Sequence, residues 1–305
     1  MRVQHLFRLL PLAGWVSNRL RYPGLHCGLR VEIDGPGSFT FGSGVRIGEG
    51  TRIELPPAGT LTIGDGVTLS RSVHLVPSAG TRIDIGAATT IQDGCRVYGD
   101  VSIGQRCIFA PNAFVSSGTH VFDAFPHRPI QEQETLAPAT QRPIRIHADC
   151  WFGINVVITP GVTVGRGCVI GANSVVTGDL PPYQVAAGSP ARAVRKRLEF
   201  APKSRIDADN EHDAPYFYDG FDLMQPAGDA WTVAGSFTLA LAHSNPRALR
   251  LGISGNGSVR LAGATRSIGP ASSVVEFDLA GYSGTLPFLH LEADGRCLLR
   301  WAELV

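Results

Sequence analysis

The 305-residue sequence has little charge of either sign: 17% of its residues are Asp, Glu, Lys or Arg, and the formal net charge is +1. Proteins that bind nucleic acid carry a basic surplus, because phosphate contacts require Lys and Arg. The balanced charge therefore gives no support for a nucleic-acid partner. Long apolar runs are also missing from the sequence, so no segment predicts a membrane-spanning helix.

Cysteine is scarce as well, with six residues and no Cys-x-x-Cys pair. This spacing offers no motif for zinc binding or redox chemistry. Four cysteines instead occupy positions in a sequence repeat where small apolar side chains recur: Cys95, Cys107, Cys150 and Cys168. We interpret these four as buried small side chains in a reduced, cytoplasmic protein.

Residues 1–30 predict a basic amphipathic helical segment. Four arginines surround an apolar centre that Pro11 interrupts, which disfavours a cleaved signal peptide. Two interpretations stay open: a helix that caps the first turn of the following domain, and an interfacial helix that gives peripheral membrane contact through residues 1–22.

The strongest pattern in the sequence is a period of six. Large apolar residues recur at this spacing in two runs: Ile85, Ile91, Val97, Ile103, Phe109 and Val115, then Ile146, Phe152, Ile158, Val164, Ile170 and Val176. Four residues after most of them lies a second, smaller position: Thr89, Cys95, Val101, Cys107 and Ala113, then Cys150, Val156, Val162, Cys168 and Ser174. Neither a helix nor a flat strand has this period, whereas hexapeptide repeats form parallel β-helices.

The repeat also predicts the domain organisation. A β-helix of about six coils should occupy residues 31–200, with corner insertions at 56–59 and 77–80 and an extruded loop at 116–143, where the period stops. Residues 201–215 are rich in charge and predict a linker. Alternating short apolar segments separated by Gly, Asn, Ser and Asp then predict an antiparallel β-sandwich over residues 216–305.

Several motifs inside the repeat resemble those of the hexapeptide-repeat acyltransferases, especially the sugar O-acetyltransferases. They are Ser-Ser-Gly-Thr-His at 116–120, Trp-Phe-Gly at 151–153, Pro-Gly-Val-Thr-Val-Gly at 160–165, Val-Ile-Gly-Ala at 169–172 with Ser-Val-Val-Thr at 174–177, and Ala-Ala-Gly-Ser-Pro-Ala-Arg at 186–192. The resemblance covers about half of the chain. It implies a left-handed coil and a homotrimer with each active site between two subunits.

The resemblance also implies a reaction, the transfer of acetyl from acetyl-CoA to a sugar hydroxyl of a bacterial surface polysaccharide or its precursor. His120 aligns with the family's general base, and imidazole titrates close to neutral pH, which suits that role. Asp123 is a candidate to fix the tautomer of His120 or to bind the acceptor, and Asn112 is a candidate to hydrogen-bond near the thioester. No nucleophile stands in a recognised context, so we expect direct transfer.

The donor site is implied by the same resemblance. Its expected members are Trp151, Gly153, Ile154, Ala172, Thr177, Arg192 and Arg195, the two arginines meeting the nucleotide phosphates. Many relatives carry a lysine where this sequence has Gly178, so Lys196 or Arg197 is the candidate substitute. No metal is expected.

Three alternatives compete with this reading. The first is N-acetylation of a nucleotide-linked amino sugar, which predicts acidic residues near His120. The second is a non-catalytic glycan-binding scaffold. The third, a zinc-dependent carbonic anhydrase on the same coil, is disfavoured because His74, His120 and His147 occupy dissimilar positions in their repeats.

Overall fold

The structure is a computed structural model. It describes residue 18 and residues 20–136, 141–223, 226–227, 229–280, 282 and 286–305. The chain forms two compact units, Met1–Glu199 and Phe200–Val305. Most of the predicted N-terminal helical segment, residues 1–17, lies outside the described residues.

The first unit is a parallel β-solenoid. Its strands are β1 (His26–Cys27), β2 (Glu32–Asp34), β3 (Ser38–Phe41), β4 (Arg46–Ile47), β5 (Arg52–Glu54), β6 (Thr60–Ile63), β7 (Thr68–Leu69), β8 (His74–Val76), β9 (Arg82–Ile85), β10 (Thr90–Ile91), β11 (Arg96–Tyr98), β12 (Val101–Ile103), β13 (Ile108–Phe109), β14 (Phe114–Ser116), β15 (Ile144–Ile146), β16 (Trp151–Phe152), β17 (Val157–Ile158), β18 (Thr163–Val164), β19 (Val169–Ile170), β20 (Val175–Val176), β21 (Gln184–Gly188) and β22 (Ala191–Lys196). One helix, α1 (Ile130–Leu136), interrupts them.

These strands stack into three sheets that form the walls of the coil. The sheets run β1-β4-β7-β10-β13-β16-β19-β21-β22, β2-β5-β8-β11-β14-β17-β20, and β18-β15-β12-β9-β6-β3. The second sheet has seven strands, so the solenoid has seven coils where the sequence predicts about six. The predicted parallel β-helix is confirmed.

The register explains the period of six. Ile91 lies beside Phe109 and Phe109 beside Phe152, so equivalent residues of successive coils stack on one another. All the large and small repeat positions predicted to face inward over residues 85–176 are buried. Inside the coil, the rings of Phe109 and Phe152 stack with centroids 4.4 Å apart. Both classes of predicted core position are therefore confirmed, including the four cysteines.

The second unit is antiparallel. Its strands are β23 (Arg205–Asp207), β24 (Phe217–Asp219), β25 (Pro226–Ala227), β26 (Ala230–Ala240), β27 (Ala248–Gly255), β28 (Gly257–Leu261), β29 (Ala264–Ile268), β30 (Ser273–Asp278) and β31 (Phe288–Leu304), with a 3-10 helix at Glu211–Tyr216. The long β31 pairs with β23, β26, β27 and β28, so one hydrogen-bonded sheet surrounds a separate core.

Two details differ from the sequence expectations. The sequence pattern predicts a turn between two strands at Asp294 and Gly295, but the single strand β31 runs through both residues. A register shift opposite them, between Val233 and Gly235 on β26, accommodates the irregularity. Residues 201–215 are not a free linker, because β23 pairs with β31 and Ile206 is completely buried. The charged composition of this segment suggested an exposed linker, but Asp213 is buried and contacts Lys203.

Candidate active site

The extruded loop is closed at its base by contacts between its two ends. Gly118 and Gln141 form an antiparallel bridge, and the Arg142 amide donates to the Ser117 carbonyl at 2.9 Å. Ser117 is buried, and its hydroxyl lies 2.6 Å from Gln141 Oε1. This clamp keeps the stacking intact across the insertion, because Ile103 on β12 still lies beside Ile146 on β15.

Helix α1 is attached to the loop through one buried side chain. Gln133 accepts from the Phe125 amide at 3.0 Å and donates to the Phe122 and Arg128 carbonyls at 3.2 and 3.0 Å. Its side chain thus provides hydrogen-bond partners for three backbone groups of the irregular loop that would otherwise bond to water. Nothing in the sequence period singles out Gln133.

His120 lies just after the clamp, and its side chain is 79% exposed. The Glu134 carboxylate of α1 contacts its Nδ1 atom. A carboxylate at Nδ1 favours the tautomer that keeps the proton there, which leaves Nε2 as the proton acceptor. Glu134 therefore occupies the position for which Asp123 was a candidate. Asp123 is an exposed residue of the same loop.

Asn112 belongs to a ladder of asparagines on one corner of the solenoid. Its Nδ2 donates to Asn155 Oδ1 at 3.3 Å, and Asn155 Nδ2 donates to Asn173 Oδ1 at 2.9 Å. All three residues have left-handed backbones, with φ of 62°, 59° and 57°. Asparagine tolerates this conformation better than other side chains do. The ladder gives Asn112 a structural function, and strand β14 separates it from His120.

Two of the expected donor residues, Trp151 and Arg195, lie at the ends of one row across the first sheet. The register places Trp151 beside Val169, Val169 beside Val185, and Val185 beside Arg195. Trp151 on β16 and Arg195 on β22 are therefore three strand spacings apart, or roughly 14 Å. Trp151 is 52% exposed, and Arg195 is exposed. Arg192 lies on the same strand, β22, opposite Ala187.

Gly153, Ile154 and Ala172 lie at the corner that follows β16 and β19, whereas Thr177 follows β20 of the second sheet. Ile154, Ala172 and Thr177 are exposed. Gly153 is buried, and its amide donates to the Ile170 carbonyl at 2.8 Å, so this amide is already used within the sheet. A Cβ on Gly153 would lie 2.6 Å from the Ala172 amide nitrogen. Gly153 therefore serves close coil packing, and its amide is not available to the coenzyme.

Two basic residues were offered as substitutes for the missing lysine. Arg197 donates to Asp149 Oδ2 at 2.9 Å and to the Gly167 carbonyl at 3.1 Å, which ties it to the solenoid corner. Lys196 contacts Glu199. Gly178 has open space around its Cα.

The described residues contain no group of three or more His, Cys, Asp and Glu side chains that could hold a metal ion. Over the same parts of the chain, no helix is long and apolar enough to cross a bilayer.

Comparison with known families identifies the repeat. The model described as "Bacterial transferase hexapeptide (six repeats)" matches residues 143–178. The solenoid thus carries the bacterial transferase hexapeptide repeat over these residues. That match covers β15 to β20 and includes Trp151 and the corner residues Ile154 and Ala172.

Several proteins that are similar to this chain are named acetyltransferases. A "Probable acetyltransferase" of Mycobacterium tuberculosis is 33% identical over 118 residues, covering 39% of this chain and 36% of the relative. Galactoside O-acetyltransferase of Escherichia coli K12 is 37% identical over 121 residues, covering 39% of this chain and 56% of the relative. The chain thus spans about half or less of the length of these relatives.

Among solved structures, a galactoside acetyltransferase in complex with coenzyme A is similar to this chain. The two are 27% identical, with a TM-score of 0.36, and the match covers 53% of this chain and 66% of the other.

Proposed function

We propose that this protein is an acetyl-CoA-dependent O-acetyltransferase that acetylates a sugar hydroxyl of a bacterial surface polysaccharide or its precursor. The observation that carries this proposal is the contact between His120 Nδ1 and Glu134 at the base of the clamped loop. The paired, exposed imidazole follows β14 of the second sheet, whereas Trp151 and the arginines of β22 lie on the first sheet. In the proposed trimer, the base of one subunit would therefore meet the donor surface of its neighbour.

The reaction needs one base and no covalent enzyme intermediate. Nε2 of His120 takes the proton of the sugar hydroxyl as the hydroxyl oxygen attacks the acetyl carbonyl carbon. The carbon–sulfur bond of the thioester then breaks, and the imidazolium returns its proton to the leaving thiolate. Glu134 holds Nδ1 and stabilises the charge that the ring carries between these steps. A backbone amide at a coil corner would stabilise the developing oxyanion.

The donor would lie along the row from Trp151 to Arg195. The guanidinium groups of Arg192 and Arg195 present the fork of donors that phosphate oxygens accept. In the proposed trimer, the acetyl end would then reach the loop of a neighbouring subunit. Arg197 is tied to Asp149 and Lys196 to Glu199, so neither of these charges is unpaired in place of the missing lysine.

We include a homotrimer in the proposal. The outer faces of the solenoid leave Ile108, Phe114, Trp151 and Ile154 between 36% and 52% exposed. A second solenoid packed against these side chains would remove this apolar surface from water.

Thiol release from acetyl-CoA with a panel of sugars and oligosaccharides tests the proposal. His120→Ala should lower acceptor-dependent release by roughly 10²–10⁴-fold, and Glu134→Gln by less, while His127→Ala, which changes another exposed loop histidine, should behave as wild type. Equal rates for His120→Ala and His127→Ala would contradict it. Amino sugars in the panel separate O-transfer from N-transfer.

A further inference from the structure

The second unit contains a polar cavity of about 460 Å³ on the outer face of its sheet. Small-molecule sites usually measure roughly 300–1,000 Å³. The cavity is formed within this unit and shares no residue with the solenoid site.

The strand register explains why polar groups collect there. Phe237 and Leu291 face the core and are almost completely buried. Because side chains alternate along a strand, their neighbours Thr238, His290 and Glu292 face the opposite side. Pairing then sets Thr238 beside His290, and Glu292 beside Arg260 of β28.

Two hydrogen bonds preorganise this face. The Thr238 hydroxyl lies 2.9 Å from His290 Nδ1, so a ligand would meet the Nε2 atom. Arg260 donates to Glu292 at 3.1 Å, and both side chains stay more than half exposed. Thr238 itself is only 8% exposed although it faces outward, which shows that the floor of the cavity is recessed.

A tight turn and a third strand complete the wall. The hairpin between β28 and β29 turns through Ala262 and Gly263, both with positive φ. Asp219 of β24 borders the cavity from the other side, opposite Thr238 in register.

The lining discriminates between ligand classes. Two carboxylates stand against one guanidinium and one imidazole, so the site lacks the basic surplus that a nucleotide or a phosphate group requires. The prominence of charged and hydroxyl groups disfavours an acyl chain. An adjacent guanidinium and carboxylate, one donating and one accepting, match neighbouring hydroxyls, which do both.

We infer that this cavity binds a neutral oligosaccharide. Such a site lies beyond the proposed transferase chemistry and does not depend on it, since none of its residues takes part in the transfer.

Saturation-transfer NMR and calorimetry on the full-length protein test the inference, with neutral hexose oligosaccharides of increasing length as probes. We expect wild type to bind at least one of them, and Arg260→Ala and His290→Ala to weaken that binding at least tenfold. Arg250→Ala is the matched control, because it breaks a similar exposed ion pair, with Glu276, outside the cavity. This control should bind as wild type does.

Three outcomes would overturn the inference: no binding of any neutral oligosaccharide by wild type, equal loss in Arg260→Ala and Arg250→Ala, or binding that requires an acidic sugar. His120→Ala separates the two proposals, because it should lower acetyl transfer as stated above and leave oligosaccharide binding unchanged.

Discussion

At the scale of single residues, the solenoid depends on side chains that suit a corner. The asparagine ladder combines amide hydrogen bonds with a backbone conformation that few residues tolerate. Its middle member, Asn155, contributes to both effects, because it accepts from Asn112 and donates to Asn173.

Substitution of Asn155 should separate these two contributions. Asn155→Ala loses both amide hydrogen bonds and sets, at φ 59°, a residue that tolerates the left-handed region less well than asparagine does. We therefore expect a loss of roughly 2 kcal/mol in the free energy of unfolding. Asn155→Gly loses only the hydrogen bonds and should cost less. Urea unfolding measures both variants, and a glycine variant as unstable as the alanine variant would show that the backbone conformation contributes nothing.

The buried thiols make stability sensitive to alkali. Burial raises the pKa of Cys95 and of Cys168 from 9.0 to about 11. A pKa that is higher in the folded state means that the stabilisation is complete below pH 9 and is lost as the pH rises towards 11, by at most roughly 2–3 kcal/mol per thiol.

Urea unfolding at several pH values between 7 and 11 measures this dependence. The double variant Cys95→Ala/Cys168→Ala should show a flatter decline than wild type above pH 9. Some slope should remain, because burial also raises the pKa of Tyr183 to about 12. Parallel curves for the two proteins would refute the assignment.

At the scale of elements, the loop and its helix act as one attachment. Gln133 connects α1 to three backbone groups of the loop, and Glu134 follows it on the same helix. The contact between the Glu134 carboxylate and His120 therefore depends on Gln133, a residue that contacts neither the imidazole nor a substrate.

Gln133→Ala should release the helix without unfolding the solenoid. Three backbone groups would lose their partner, at a local cost of roughly 1–3 kcal/mol. We expect faster proteolytic cleavage within residues 117–143, slower acetyl transfer and an unchanged thermal midpoint. Gln131→Ala, an exposed position on the same helix, should change none of these. A falling midpoint in Gln133→Ala would show that the loop supports the solenoid core.

The sequence could predict those parts of the fold that follow its six-residue repeat. Inward positions of a coil accept only certain sizes, so the stack from Ile85 to Val176 was readable from spacing alone. The loop obeys no such rule, and Glu134 could not be matched to His120 because only the fold of the loop brings them together. The cavity around His290 escaped for a similar reason, since it depends on register between distant strands.

At the scale of the whole molecule, the two units have separate cores. Residues 201–215 belong to the second core, because Ile206 is buried and Phe200 packs near Tyr216 with ring centroids 5.4 Å apart. The boundary therefore lies near Glu199.

Two fragments test this boundary. Residues 200–305 should fold alone and unfold in one cooperative transition, whereas residues 216–305 should not, because they lack β23 and the buried Asp213. Circular dichroism during urea titration distinguishes them. Cooperative folding of the shorter fragment would restore residues 201–215 to the status of a linker.

The clamp between Gly118 and Gln141 has a consequence for how such a protein changes over generations. The chain leaves the stack and re-enters it at neighbouring points, so the length of the loop does not affect the stacking of the coils above and below. Residues 121–129 lie between His120 and α1. A different sequence of equal length grafted there should alter which acceptor is recognised, while His120, Glu134 and the scaffold stay the same. Selection for a new acceptor can therefore act on this stretch without first solving the folding problem again.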